Sequence, residues 1–141
     1  MERLIKKIKE FEGLALTPYR CPGGAWTIGY GHRCAEGQVA ISLAEANRLL
    51  LTDVLNALQY VMTATEGCGL EAHQVYALTD FVYNLGAAAF KSSTLLKRIR
   101  RGESADAVCG EIRRWRYAAG KELPGLVMRR EWEAMLYKGK R

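Results

Sequence analysis

Three side chains in the first 32 positions could do chemistry: an acid where the pattern calls for an apolar residue, an isolated thiol, and a hydroxyl on a bare strand face. Glu12 follows Ile5 by seven residues and Ile8 by four, which places it on their apolar stripe if the segment is helical. Partial burial of a carboxyl disfavours its charged form, as a general acid working near neutral pH requires. The competing reading is a helix-end glutamate that bends out to solvent. Cys21 stands just before Pro22-Gly23-Gly24, where a thiol has no obvious packing reason, and both a structural and a reactive role are open. Taking residues 26–32 as one strand puts Trp26, Ile28, Tyr30 and His32 on one face and Thr27, Gly29 and Gly31 on the other. The second face lets a substrate or another backbone come close, and Thr27 supplies its only hydroxyl. A glycine-rich bend would explain the same residues.

Other candidates carry less. His32 lies on the Trp26 face, away from Thr27, and is expected to be a hydrogen-bonded structural residue; Tyr30 is expected to pack. Cys21, His32 and Cys34 are zinc-compatible types, but a fourth ligand at a familiar spacing is missing, so no metal and no other cofactor is expected. In "EIRRWRYAAGK", Arg113, Arg114 and Arg116 could meet phosphates while Trp115 stacks on a base. Helical spacing of Ile112, Trp115 and Ala119 favours the alternative, with Trp115 in the core and the arginines solvated, and no nucleic-acid partner is expected.

The elements that must position these groups follow from periodicity. Leu4, Ile5, Ile8 and Phe11 recur at helical spacing, with Gly13 placed to end that helix. Residues 17–41 mix β-branched and aromatic residues with Pro-Gly-Gly, which predicts a small hairpin or three-stranded sheet. Ser42 with Glu45 is a capping-box signature, and Leu43, Ala46, Leu50, Val54, Leu58 and Val61 then hold a stripe over about twenty residues. After "TEGCG", further helices are predicted over about 75–85, 93–101, 104–118 and 124–139. The order is α+β: a small N-terminal β-hairpin lobe and a larger helical C-terminal lobe joined by a long helix. All 141 residues are expected to form one domain, with a groove between the lobes as a natural ligand site.

Composition narrows the partners. Residues 1–90 hold 7 Lys/Arg against 9 Asp/Glu and residues 91–141 hold 14 against 6, so the net charge of +6 divides into −2 and +8. That asymmetry suits an anionic partner such as nucleic acid, a bacterial envelope or an acidic polymer. No apolar run approaches the ~20 residues needed to cross a bilayer, and "MERLIKKIKEF" lacks a signal-peptide core. A soluble monomer without stable membrane insertion is expected. Cysteines 21, 34, 68 and 109 form no CxxC pair; lone thiols are expected in cytoplasm, and two disulfides remain open in an oxidising compartment.

Glu12, eight residues, Cys21, five residues, Thr27 and then "IGYGH" resembles the catalytic signature of phage-type lysozymes, the endolysins of glycoside hydrolase family 24. The middle position is Asp in many members and Cys in some. The resemblance continues through "ISLAEANRLLLTDV", "ALTDFVYNLGAAAFKSSTLL" and "WRYAAGKELPGLVMRREWEAML", and so covers nearly the whole chain. It implies a lysozyme-like fold and hydrolysis of the β-1,4 bond between N-acetylmuramic acid and N-acetylglucosamine in peptidoglycan, leading to host lysis. Glu12 would be the proton donor, with Cys21 and Thr27 orienting or deprotonating water or stabilising the developing positive charge; a nucleophilic Cys21 stays open, and the resemblance points to an inverting route. The protein would accumulate in the host cytoplasm until a separate membrane pore releases it to the wall. Two alternatives stay open: a cationic envelope- or nucleic-acid-binding module with an inactive site, and a lytic transglycosylase, which needs a glutamate acid but no positioned water.

Overall fold

Helix α1 (Glu2–Glu12) forms because Leu4 and Ile8 share a stripe that becomes fully buried, and it stops where Gly13 takes a left-handed φ of 69° and returns its N–H to Lys9 O at 2.9 Å. Glu12 is thereby the helix's last residue. A computed structural model describes residues 1–140, in two compact units that divide between Leu55 and Asn56.

In the first unit, strands β1 (Ala15–Arg20), β2 (Trp26–Gly29) and β3 (His32–Arg33) form an antiparallel sheet in that order. The predicted sheet is therefore present, starting two residues earlier than periodicity suggested. The β1–β2 register, Ala15 opposite Gly29 but Tyr19 opposite Thr27, slips in between, where Pro18 has no N–H for the ladder. The expectation of one strand over residues 26–32 fails. Gly29 and Gly31 take φ values of 67° and 83°, so the chain turns back at Tyr30 and places His32 opposite Ile28 instead of in line with it.

Helix α2 (Leu43–Ala64) begins as expected, with Glu45 N–H donating to Ser42 Oγ at 3.1 Å. The reciprocal half of the capping box does not form, because the Glu45 carboxylate pairs with Arg48 one turn on. The buried stripe is Ala46, Leu50, Val54, Ala57 and Val61; Leu43 lies outside it and is exposed.

The second unit is helical: α3 (Ala72–Leu85), α4 (Ala87–Lys91), α5 (Thr94–Arg100), α6 (Ala105–Arg113) and α7 (Pro124–Tyr137). Helix α7 packs on α3 and α6. Ser93 and Ser104 cap α5 and α6 by accepting from Leu96 N and Ala107 N at 3.0 and 3.2 Å. Phe81, Phe90, Leu95 and Ile112 are completely buried in this core, each side chain contributing about 1.5–3 kcal/mol.

Two details differ from the sequence reading. Helix α4 was not predicted, being too short to show a period. The helix expected to reach residue 118 ends at Arg113, and a hairpin of β4 (Tyr117–Ala118) and β5 (Lys121–Glu122) follows, turning through Ala119 at φ 51° and Gly120. Ala119 is accordingly exposed and shares no helical face with Trp115. Trp115 does pack inward, edge-on to Phe81 at 5.5 Å between ring centroids. Arg113, Arg114 and Arg116 pair with Glu131, Glu111 and Glu122. Among the described residues no helix is long and apolar enough to cross a membrane.

Candidate active site

The site is built on one face of the three-stranded sheet. Antiparallel partners project on the same side, and Tyr19 opposes Thr27, which opposes Arg33, so these three form one row across β1, β2 and β3. The opposite face carries the next pair, Arg20 and Trp26, with the guanidinium 5.5 Å from the indole centroid. Alternation beyond Tyr19 brings Cys21 to the row's side, at the entry of a tight turn. Gly24 N–H donates to Cys21 O at 2.8 Å, Cys21 N–H donates to Ala25 O at 2.9 Å, and Pro22 presets the turn's backbone angle.

That turn wraps donors around sulfur. The Gly23 N–H hydrogen-bonds Sγ and holds the thiol below its usual pKa; the small burial opposes this, while the Ala25 N–H, the Thr27 hydroxyl and the charge of Arg33 add to the lowering. Cys21 is a free thiol. Thr27 is nearly buried, and its single proton faces two acceptors, Ala25 O at 3.3 Å and the sulfur.

Glu12 reaches the sheet over Gly31. A Cβ at Gly31 would stand 2.5 Å from Glu12 Oε1 and 2.9 Å from Cδ, so glycine, at a left-handed φ of 83°, leaves the carboxyl its present position. Glu12 is half-buried, between the inward and solvent positions that periodicity left open. Glu12 and Cys21 both act on Tyr19: burial raises the phenol pKa, and the negative charges of Glu12 and Cys21 raise it further. The structure thus gathers Glu12, Cys21 and Thr27 around one patch, and it adds Tyr19 and Arg33, which sequence reasoning did not single out. The parity of Tyr19 with Cys21 on a predicted strand was the available signal.

His32 takes no part in this row. Its Nδ1–H donates to Asp53 Oδ2 of α2 at 2.6 Å, tying β3 to the long helix in the structural role expected of it. Among the described residues no three His, Cys, Asp or Glu side chains gather as a metal site would need.

The phage lysozyme family profile matches residues 9–133. The chain belongs to the phage lysozyme family. An endolysin of Acyrthosiphon pisum secondary endosymbiont phage 1 is 36% identical over 142 residues, covering 96% of this chain and 95% of that one. A SAR-endolysin of Enterobacteria phage PA-2 is 35% identical over 124 residues, covering 86% and 74%. Among solved structures, the muramidase domain of SpmX from Asticaccaulis excentricus superposes with a TM-score of 0.84 at 30% identity, covering 97% of this chain and 95% of that one. The lysozyme-like α+β fold expected from the sequence is the fold of this phage lysozyme.

Proposed function

We propose that Glu12, Cys21 and Thr27 carry out the chemistry by which this endolysin hydrolyses bacterial peptidoglycan, cutting the β-1,4 bond between N-acetylmuramic acid and N-acetylglucosamine. The observation that carries this assignment is the sulfur cradle: Cys21 is surrounded by the donors of Gly23, Ala25 and Thr27, on the sheet whose Gly31 admits the Glu12 carboxyl.

Glu12 gives its proton to the departing glycosidic oxygen, so the leaving sugar departs as an alcohol. Positive charge then develops at the anomeric carbon. Cys21, its pKa lowered by the hydrogen bonds around it, acts as thiolate: it accepts a hydrogen bond from a water and takes its proton as the water attacks from the opposite face; Thr27 shares in holding that water. The bond to the leaving oxygen breaks as the bond to water forms, and configuration inverts. A second, cationic-module reading with an inactive site gains nothing from a thiol whose pKa is lowered by its neighbours.

The test is clearance of purified peptidoglycan by wild type and by Glu12→Gln, with the released fragments identified by mass spectrometry and by anomeric configuration. Expected are reducing muramic ends, inverted at first release, and a loss of about 10²–10⁴-fold in Glu12→Gln. Equal clearance by Glu12→Gln, anhydro-muramyl ends, or retained configuration would each overturn the assignment. The two compact units act as one hydrolase domain in this reading, as a monomer. Before lysis the enzyme stays in the host cytoplasm, and afterwards its basic second unit draws it to the anionic envelope, an attraction that weakens with salt. Fractionation before and after lysis tests the placement.

A further inference from the structure

Tyr19 lies beside the reacting groups without being spent on the protein. It is 37% exposed, and among the described residues nothing hydrogen-bonds its hydroxyl, although Thr27 is its strand partner and Glu12 and Cys21 are both near enough to act on it electrostatically. Partly open to solvent and unpaired within the protein, that hydroxyl is available to a ligand that reaches the site. A phenol is protonated near neutral pH, burial raises its pKa further, and a protonated phenol can donate to an uncharged oxygen. The substrate chemistry fits such a donor. A glycan strand offers hydroxyl, ring and acetamido oxygens, together with apolar sugar faces that lie against an aromatic ring.

We propose that Tyr19 is a substrate-binding residue of this site: its hydroxyl donates a hydrogen bond to an oxygen of the sugar bound next to the scissile bond, while its ring supports that sugar's face. The Tyr19–Thr27–Arg33 row is then a strip along which the strand lies, with Tyr19 at the Cys21 end. This inference rests on the hydrolase assignment above. It predicts a contact made equally in the bound substrate and the transition state, which appears in KM and leaves kcat alone.

The experiment compares wild type, Tyr19→Phe, Tyr19→Ala and Glu12→Gln on soluble, uncrosslinked peptidoglycan strands, with thermal unfolding of each variant. Tyr19→Phe removes only the hydroxyl; a ~5- to 20-fold rise in KM is expected, with kcat within about twofold and an unchanged melting temperature. Tyr19→Ala removes the ring as well and raises KM further. Binding of the same strands to Glu12→Gln and to Glu12→Gln/Tyr19→Phe, measured by calorimetry, should show the same fold-weakening without turnover. Wild-type KM in Tyr19→Phe, or a loss confined to kcat, overturns the substrate contact while Glu12→Gln remains inactive. An active Glu12→Gln overturns the underlying site assignment instead.

Discussion

The sheet of the first unit and the α3–α7 interface of the second both hold charged side chains, and they treat them in opposite ways. On the sheet the groups are accessible: Tyr19 and Arg33 are exposed, and Glu12 and Cys21 are partly so. Between α3 and α7 they are sealed. Asp80 and Glu133 have no exposed surface, Arg130 has 1%, and Arg129 binds Asp80 through two bonds of 2.7 and 2.9 Å. Arg130 holds Glu133 at 2.8 and 2.9 Å and reaches Asn84 at 2.8 Å.

Burial pushes the Glu133 carboxyl well above the usual range, with the Asp80 charge and their shared hydrogen bond adding to the rise against the pull of Arg130 and Arg129. Burial also raises Asp80, but hydrogen bonds from Glu133 and Arg129 outweigh it and hold Asp80 below its usual value. Such a network orients two helices at a desolvation cost, whereas the sheet keeps its groups wet enough to exchange protons. Charge is architectural in one region and, in the function proposed above, chemical in the other.

Breaking the buried side should have the largest effect. Arg129→Met strands the Asp80 carboxylate in the core and should cost about 3–5 kcal/mol in urea unfolding. A loss under 1 kcal/mol would mean that water reaches the interface and that the contrast with the sheet is weaker than described.

Next is Gly31→Ala, which adds a Cβ at 2.5 Å from Glu12 Oε1 where φ is 83°. The backbone strain costs about 1–2 kcal/mol. The displaced carboxyl should lower peptidoglycan clearance about 10²-fold, an activity loss larger than the melting shift explains. Clearance at the wild-type rate would show that Glu12 needs no fixed seat.

The smallest effect sharpens the comparison without disturbing either region. Cys21 is held below the usual thiol pKa by its hydrogen bonds, so thiolate persists at pH values where an ordinary thiol is protonated. Cys109 is pushed up by burial, and its Sγ–H donates to Ala134 O at 3.2 Å. Alkylation followed by peptide mapping should label Cys21 at lower pH in the folded protein than in the unfolded chain, and leave Cys109 unlabelled in the folded protein. Equal labelling of both would remove the cradle from the account.

Local rules carried far into the fold. The ends of α1 and α2, the serine caps of α5 and α6, and Pro124 at the start of α7 depend on residues within one turn of each other, and such interactions survive without tertiary context. The bend at Gly29 and Gly31 was missed because alternation describes a continuous strand as readily as two strands and a turn. The β4–β5 hairpin was missed because "RWRYAA" carries a helical period that the left-handed Ala119 and Gly120 override.

By itself the sequence determined which residues could do chemistry. Glu12, Cys21 and Thr27 are set by type and spacing, and their motif identifies the family. Only the tertiary structure decided their environment. Strand register placed Tyr19 and Arg33 beside Thr27, the turn aimed two backbone N–H groups at Cys21 Sγ, and helix packing buried Arg129 and Arg130. Hydrogen-bond direction, burial and electrostatic coupling depend on through-space distances between residues remote in the chain, and no local period encodes them.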